Sequence, residues 1–221
     1  MTDMKFWLVA ILALIAFPVA FAEKGTFVDQ VQFVQYLDEN TALGEVRNGN
    51  LDIYYFRVSS DRIETEKSRE GIQVFESTGG SYSILTNPSV SESFNPFSIK
   101  EIRFALNYLI DKKFIVNELI GGYGRTMISN YGAFAADYLS IIDELESFHF
   151  KYNPSLANQI ITSELEKVGA EKVDGTWYHN GKQIEITFFI RSDDPVRKSI
   201  GEIISSQLEK IGFKVNKDFG D

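Results

Sequence analysis

Between Tyr152 and Val215 the hydrophobic positions change period three times, and polar or turn-forming residues mark each change. Leu156, Ile160, Ile161, Leu165 and Val168 recur at helical spacing, the mark of one apolar stripe on a helix. Asn153 suits the N-cap and Pro154 the first helical position, where a missing N–H costs nothing. Gly169 stands where a left-handed residue ends a helix. Asp174-Gly175 marks a turn, and Asn180-Gly181 separates two β-prone runs, TWYH and KQIEITFFI, which predicts a hairpin. A second helix repeats the punctuation of the first. Asp194 caps it, Pro195 starts it and Gly212 ends it, with Val196, Ile200, Ile203, Ile204, Leu208 and Ile211 as its buried face. Phe213 to Val215 opens a further strand.

Upstream, Ser98 and Glu101 have the S-x-x-E spacing of a capping box, followed by apolar Ile102, Ala105, Leu106, Leu109 and Ile110. Asp111 caps a further helical stretch with Phe114, Ile115 and Leu119 on its inner side, and Gly121-Gly122 stops it. The first part of the chain predicts a strand from Phe27 to Leu37, a short helix from Asn40 to Val46, a turn at Asn48-Gly49 and a strand from Leu51 to Val58. Shorter strands are expected near Ile72 to Phe75 and Tyr82 to Leu85, before a Ser-, Asn- and Pro-rich crossing from Asn87 to Pro96. Arg103 is expected to brace its helix, and Trp177 to pack across the hairpin. Strands alternating with helices define an α/β fold.

At the N-terminus, Lys5 precedes an apolar run from Phe6 to Phe21, and Ala20-Phe21-Ala22 forms an A-x-A cleavage pattern. The run falls short of the roughly 20 residues that span a bilayer, so residues 1–22 read as a secretory signal peptide. The expected location is extracytoplasmic. No cysteine is present, which excludes both a disulfide framework and a lipid-bearing N-terminal Cys. With 22 basic against 31 acidic residues the net charge is −9, which argues against nucleic acid and anionic membranes as partners. The mixed charges from Glu64 to Glu70 read as an exposed face.

Enzyme chemistry finds no foothold. There is no G-x-S-x-G elbow, no H-E-x-x-H helix and no G-x-x-x-x-G-K-[ST] loop. The two histidines, His149 and His179, lack ligand-spaced partners, and the Glu144/Glu146 and Glu164/Glu166 pairs fit a solvated helix face. No cofactor and no metal is expected. The GGYGR loop, Gly121 to Arg125, instead presents an aromatic ring and a guanidinium on flexible backbone.

Several segments in order resemble one family. Asn87-Pro88, Asn95-Pro96-Phe97 and the run Glu101 to Asp111 (EIRFALNYLID) resemble the "N…PF…VRqALnyaIDr" signature of the family 5 extracellular solute-binding proteins. Gly122-Tyr123-Gly124 is similar to the glycine loop that follows it in those dipeptide- and oligopeptide-type receptors of ABC importers. Ala157 to Gly169, Asp174-Gly175-Thr176-Trp177, Gly181-Lys182 and Gln207 to Gly212 resemble later family segments, and Gly49 to Ile53 an earlier one. The resemblance implies a type II periplasmic-binding-protein-like fold of two lobes, only partly represented here because family members are considerably longer. Residues 23–92 would be a segment of the first lobe and 93–221 the first part of the second.

It also implies capture rather than turnover: a small, peptide-like solute held in a crevice and delivered to an ABC permease in the membrane. Candidate ligand contacts are Tyr54, Tyr82, Asn87, Tyr123, Gly124 and Arg125, with Arg125 able to hold a carboxylate bidentately. The commoner reading of Tyr54 and Tyr82 is strand packing, and of Arg125 a solvated loop charge. Two other readings stay open: a secreted cell-surface interaction module built on a shortened receptor scaffold, and a fragment of a longer receptor.

Overall fold

The computed structural model describes residues 27–77, 80–90, 93–132 and 135–221. The expected signal segment, residues 1–22, lies outside them. The chain divides into two compact units, Met1–Arg57 and Val58–Asp221.

In the first unit the short helix is present as α1, Glu39–Arg47. Asp38 caps it by accepting from the Thr41 N–H at 2.9 Å, and Ala42 and Leu43 are its buried residues. Gly49, at φ 74°, turns the chain away. The strands expected over Phe27 to Leu37 and Leu51 to Val58 are absent. Their alternating side chains are instead exposed, Phe27 by 90% and Leu37 by 96%. A strand persists through its ladder of backbone partners as much as through its own pattern, and among the described residues neither segment forms a ladder. The rings of Phe33 and Tyr55 meet edge-on at 6.4 Å.

The second unit opens with a helix that periodicity did not announce, α2, Ser60–Lys67. Its sequence, SDRIETEK, is charged almost throughout, and its buried residue is Glu66, ion-paired with Arg69 at 3.2 Å. The expected strands near Ile72 to Phe75 and Tyr82 to Leu85 are extended chain without a ladder. At the crossing, the Asn95 amide donates to the carbonyls of Asn87 (2.8 Å) and Ser89 (2.9 Å), while its oxygen accepts from the Phe97 N–H. The turn Pro96–Ser98 that follows removes the expected capping box. The Ser98 hydroxyl donates back to the Asn95 carbonyl at 2.7 Å, and α3, Lys100–Leu109, starts from Ile99 without a side-chain cap. Arg103 donates to the carbonyls of Phe97 and Ser98 and so ties helix to turn, the bracing expected of it.

The core is assembled around α3. Its Ile102, Ala105, Leu106 and Leu109 pack with Ala157, Ile161 and Leu165 of α6, Pro154–Lys167. Between them come α4, Lys112–Phe114, a π-helical turn from Ile115 to Leu119, and α5, Ala136–Ser147. Ile115 is buried, whereas Phe114, expected on the inner side, is exposed. Asn153 caps α6 as anticipated and Gly169 reverses the chain at φ 81°. Val168 lies at this reversal and is exposed rather than part of the buried stripe.

Three short antiparallel strands follow: β1 (Ala170–Val173), β2 (Thr176–His179) and β3 (Lys182–Gln183). Asp174, Gly175, Asn180 and Gly181 all have positive φ, the requirement of type I′ hairpin turns. The run KQIEITFFI is not one strand. At Ile184 it changes partners: its N–H donates to the Trp177 carbonyl at 2.8 Å, and its carbonyl accepts from the Lys214 N–H at 3.2 Å. β4 (Glu185–Arg191) then pairs in parallel with β5 (Lys214–Gly220) across α7, Pro195–Ile211, completing a β-α-β unit.

Two glycines permit the close contacts of this unit. Gly201 of α7 lies where a Cβ would come within 2.6 Å of Ile190 Cγ2. Gly212, at φ 113°, lies where a Cβ would stand 2.4 Å from the Gly175 carbonyl oxygen. Gly212→Ala should therefore lower stability by roughly 3 kcal/mol, about 1–2 of it from left-handed backbone and the rest from overlap. Gly44→Ala, inside α1 with nothing within 4 Å, should raise helix stability by about 0.5–1 kcal/mol. Chemical denaturation of both variants beside the parent checks the contrast.

Candidate functional site: the Gly124–Arg125 cleft

The loop that carries the candidate residues is shaped by the helix before it. Asp111 caps α4 by accepting from the Phe114 N–H at 3.0 Å. The chain then widens into the π turn, where the Ile120 N–H donates to the Ile115 carbonyl at 3.2 Å. Wide turns of this kind re-aim the chain and recur at functional sites. Gly121 and Gly122, at φ 64° and 81°, complete the reversal.

Tyr123 then turns toward α2. Its hydroxyl donates to the Glu64 carboxylate, and Lys67 Nζ lies 5.3 Å from its ring centroid. The hydrogen bond from Tyr123, followed by the Lys67 charge, holds the Glu64 carboxyl below its ordinary value. The same bond raises the Tyr123 phenol. Gly121 is close to α2 as well, with Ser60 Cβ 3.5 Å from where its own Cβ would be. On the outgoing side Lys112 Nζ donates to Asn107 Oδ1 (2.8 Å) and to the Met127 carbonyl (3.0 Å), and burial lowers its pKa. The loop is thus pinned at both ends.

Between these pins Gly124, Arg125 and Thr126 line a cleft of about 600 Å³. Lys113, Val116 and Asn117 form a second wall, and Tyr138, Leu139 and Ile142 of α5 a third. Among the described residues the lining holds the cations Lys113 and Arg125 and no acidic residue. A smaller cleft of about 330 Å³, lined among others by Phe114, Tyr152, Ile203 and Lys210, lies against α7.

The six residues singled out from sequence do not all meet there. Gly124 and Arg125 line the cleft, whereas Tyr123 is bound to Glu64 and does not. Tyr82 is half-buried, with the Arg197 guanidinium 5.7 Å from its ring centroid. Asn87 accepts from the Ser89 N–H at 3.0 Å and bonds with Asn95 at the crossing. Tyr54 belongs to the first unit, where burial, then the Glu39 charge, raises its pKa. Sequence reasoning missed Lys113, Asn117, Thr126, Tyr138, Leu139 and Ile142. The spacing of Tyr138, Leu139 and Ile142 was the one available signal, a short apolar face at helical period.

His179 stacks on Phe94 at 4.3 Å. Among the described residues no group of three His, Cys, Asp or Glu side chains could hold a metal ion, and no helix is long and apolar enough to cross a membrane.

Residues 17–220 match the family model described as bacterial extracellular solute-binding proteins, family 5 Middle. The chain belongs to this family, which is one of binding proteins rather than enzymes. Among curated relatives, the oligopeptide-binding protein AppA of Bacillus subtilis is 25% identical over 189 residues, 86% of this chain and 33% of its own length. Heme-binding protein A of Haemophilus influenzae is 26% identical over 181 residues, 81% of this chain and 29% of its own. The chain therefore spans about a third of the length of the curated relatives it matches.

Among solved structures, a periplasmic oligopeptide-binding protein of Thermotoga maritima gives a TM-score of 0.62 at 22% identity, over 85% of this chain and 35% of its own. AppA of Bacillus subtilis in complex with a nonapeptide gives 0.57 at 23% identity, over 82% and 34%. The fold is α/β of the type II periplasmic-binding-protein kind, represented in part.

Tyr123→Phe should move the Glu64 carboxyl up toward its ordinary 4.5, measured by NMR titration of the glutamate side chains. Because Glu64 is lowered in the fold, the pair's stabilisation is present above pH 4.5 and lost as pH falls through the lowered value. The stability gap between parent and variant should close over that acid range.

Proposed function

We propose that the chain is part of the solute-binding component of an ABC importer, capturing a peptide-like or comparably sized solute for delivery to a membrane permease. The observation that carries this reading is the cleft at Gly124 and Arg125, in a chain whose residues 17–220 match the family model. Its volume of about 600 Å³ falls within the roughly 300–1,000 Å³ of small-molecule sites. Two of the relatives are described as oligopeptide-binding, which supports a peptide-like solute. In this assignment residues 23–92 are a segment of the first lobe, 93–221 are the first part of the second, and residues 1–22 direct export.

Capture of this kind needs few strong contacts. A guanidinium gives two parallel hydrogen bonds to a carboxylate, and apolar walls supply the remaining contact area. Tyr123 acts here as a positioning residue, since its bond to Glu64 fixes the backbone from which Arg125 projects.

One observation favours a second reading, that of a secreted interaction module. The first unit exposes Phe27, Phe33, Leu37, Ile53 and Phe56, and extensive exposed apolar surface marks protein contacts. The two readings part on ligand-dependent stability. A solute receptor gains about 2.7 kcal/mol at a hundredfold ligand excess over Kd. In a thermal-shift panel of peptides, amino acids and nickel complexes, at least one compound should raise Tm, and Arg125→Ala should abolish the rise. A flat response to every compound would overturn the receptor reading and favour the interaction module.

A further inference from the structure

We propose that the smaller cleft, where α4 meets α7, is a second binding site that takes a free α-amino acid with an apolar side chain. Lys210 receives its carboxylate and Asp111 its ammonium group. This cleft shares no lining residue with the one at Gly124 and Arg125, so the assignment stands apart from what that cleft holds.

Lys210 is the first argument. A lysine in the last turn suits the helix dipole, but the closure of that end is made by Lys172, which donates to the Ile211 carbonyl at 2.6 Å. Nearby charges are also committed, Glu209 to Lys217 at 3.5 Å and Lys214 to Glu185 at 2.9 Å. Among the described residues Lys210 has neither a hydrogen bond nor an ion pair, although it lines a cleft that also contains Asp111.

Asp111 is held in place yet only half used. Its Oδ1 accepts from the Phe114 N–H at 3.0 Å and its backbone carbonyl from the Ile115 N–H at 3.1 Å. Among the described residues no protein donor bonds its Oδ2. Two opposite charges line one small cleft without pairing with each other. A ligand that carries both signs bridges them.

The rest of the lining supplies the second argument. Buried Ile110 and Ile204 contribute apolar surface, and the rings of Phe114 and Tyr152 line the cleft while 46% and 45% exposed. Phe114 thus stands outside the core in which helical spacing placed it. The volume of about 330 Å³ sits at the lower end of the roughly 300–1,000 Å³ of small-molecule sites, which suits a ligand of one residue. A hydrocarbon would leave both charges unpaired. A simple anion or amine would answer one charge and leave the rings wet. An apolar amino acid carries ammonium, carboxylate and side chain on one carbon, and answers all three.

The test is calorimetric titration of the full chain with L-leucine and L-phenylalanine. Each is run beside the acid that lacks its amine and the amine that lacks its carboxylate. At least one amino acid should bind, and both of its single-charge analogues should bind about tenfold more weakly or worse, the loss of one charge-assisted contact. Lys210→Ala and Asp111→Asn should each weaken the amino acid by a similar factor. Asparagine keeps the cap on α4, because its side-chain oxygen still accepts from the Phe114 N–H, so Asp111→Asn removes charge without removing the helix start. Arg125→Ala should leave this binding unchanged. Circular dichroism melting confirms that each variant keeps its fold.

Absence of binding by both amino acids, or analogues that bind as tightly as their parent, would overturn the proposal. So would unchanged affinity in either Lys210→Ala or Asp111→Asn. Loss of binding in Arg125→Ala would move the amino acid to the other cleft and overturn this assignment as well.

Discussion

The second unit depends on how Trp177 closes the C-terminal end of α7. Its ring is 1% exposed, and its indole N–H donates to the Ile211 carbonyl at 3.2 Å. Its backbone N–H donates to the Gly212 carbonyl at 2.9 Å. Lys172 completes the closure, with its ammonium on the same Ile211 carbonyl and 5.2 Å from the indole centroid. The last carbonyls of a helix have no partners within it, and burying them unsatisfied is costly. One aromatic residue and one lysine therefore solve a polar problem while burying a large apolar surface. A helix end, a hairpin and a parallel strand pair share this one contact region. Side chains larger than glycine do not fit at position 212 for that reason.

The binding region follows the opposite rule. Where the Trp177 region is buried and satisfied, the Gly124–Arg125 loop is held at its ends by Tyr123 on Glu64 and by Lys112 on the Met127 carbonyl. Residues between the pins turn to the cleft rather than into the core. A rigid frame with a short presented segment is how loops carry recognition without unravelling the fold. The π turn before the loop serves the same end, since it widens the helix and re-aims the chain immediately before the glycines.

Much of the C-terminal half was legible because its signals are local. Asn153, Asp194, Gly169 and Gly212, and the Asp174-Gly175 and Asn180-Gly181 turns, act through their own backbone, so sequence and structure agree on them. The failures arose where pairing decides. Phe27 to Leu37 alternates like a strand, but alternation names a face and supplies no partner. KQIEITFFI reads as one strand because its residues are uniformly β-prone, and nothing in that pattern reports the change of partner at Ile184. α2 was missed because its stripe is charged rather than apolar. At the site, the glycine loop was visible through its resemblance to family 5. The α5 contribution was not, because Tyr138, Leu139 and Ile142 gain meaning only when the fold brings them into one cleft lining with Lys113 and Arg125.

The change of partner at Ile184 also orders assembly in time. The β1–β2–β3 meander joins neighbours across tight turns, and closing such short loops costs little entropy. The parallel pair must instead bring Glu185 beside Lys214 across the whole of α7, a distant contact of the kind that slows folding. Ile184 belongs to both: one of its backbone groups is bonded as soon as the meander forms, and the other waits for Lys214. It is the seam at which a fast local structure waits for a slow long-range one, so a nascent chain emerging past residue 184 carries a finished hairpin and an unpaired strand until α7 and β5 have followed.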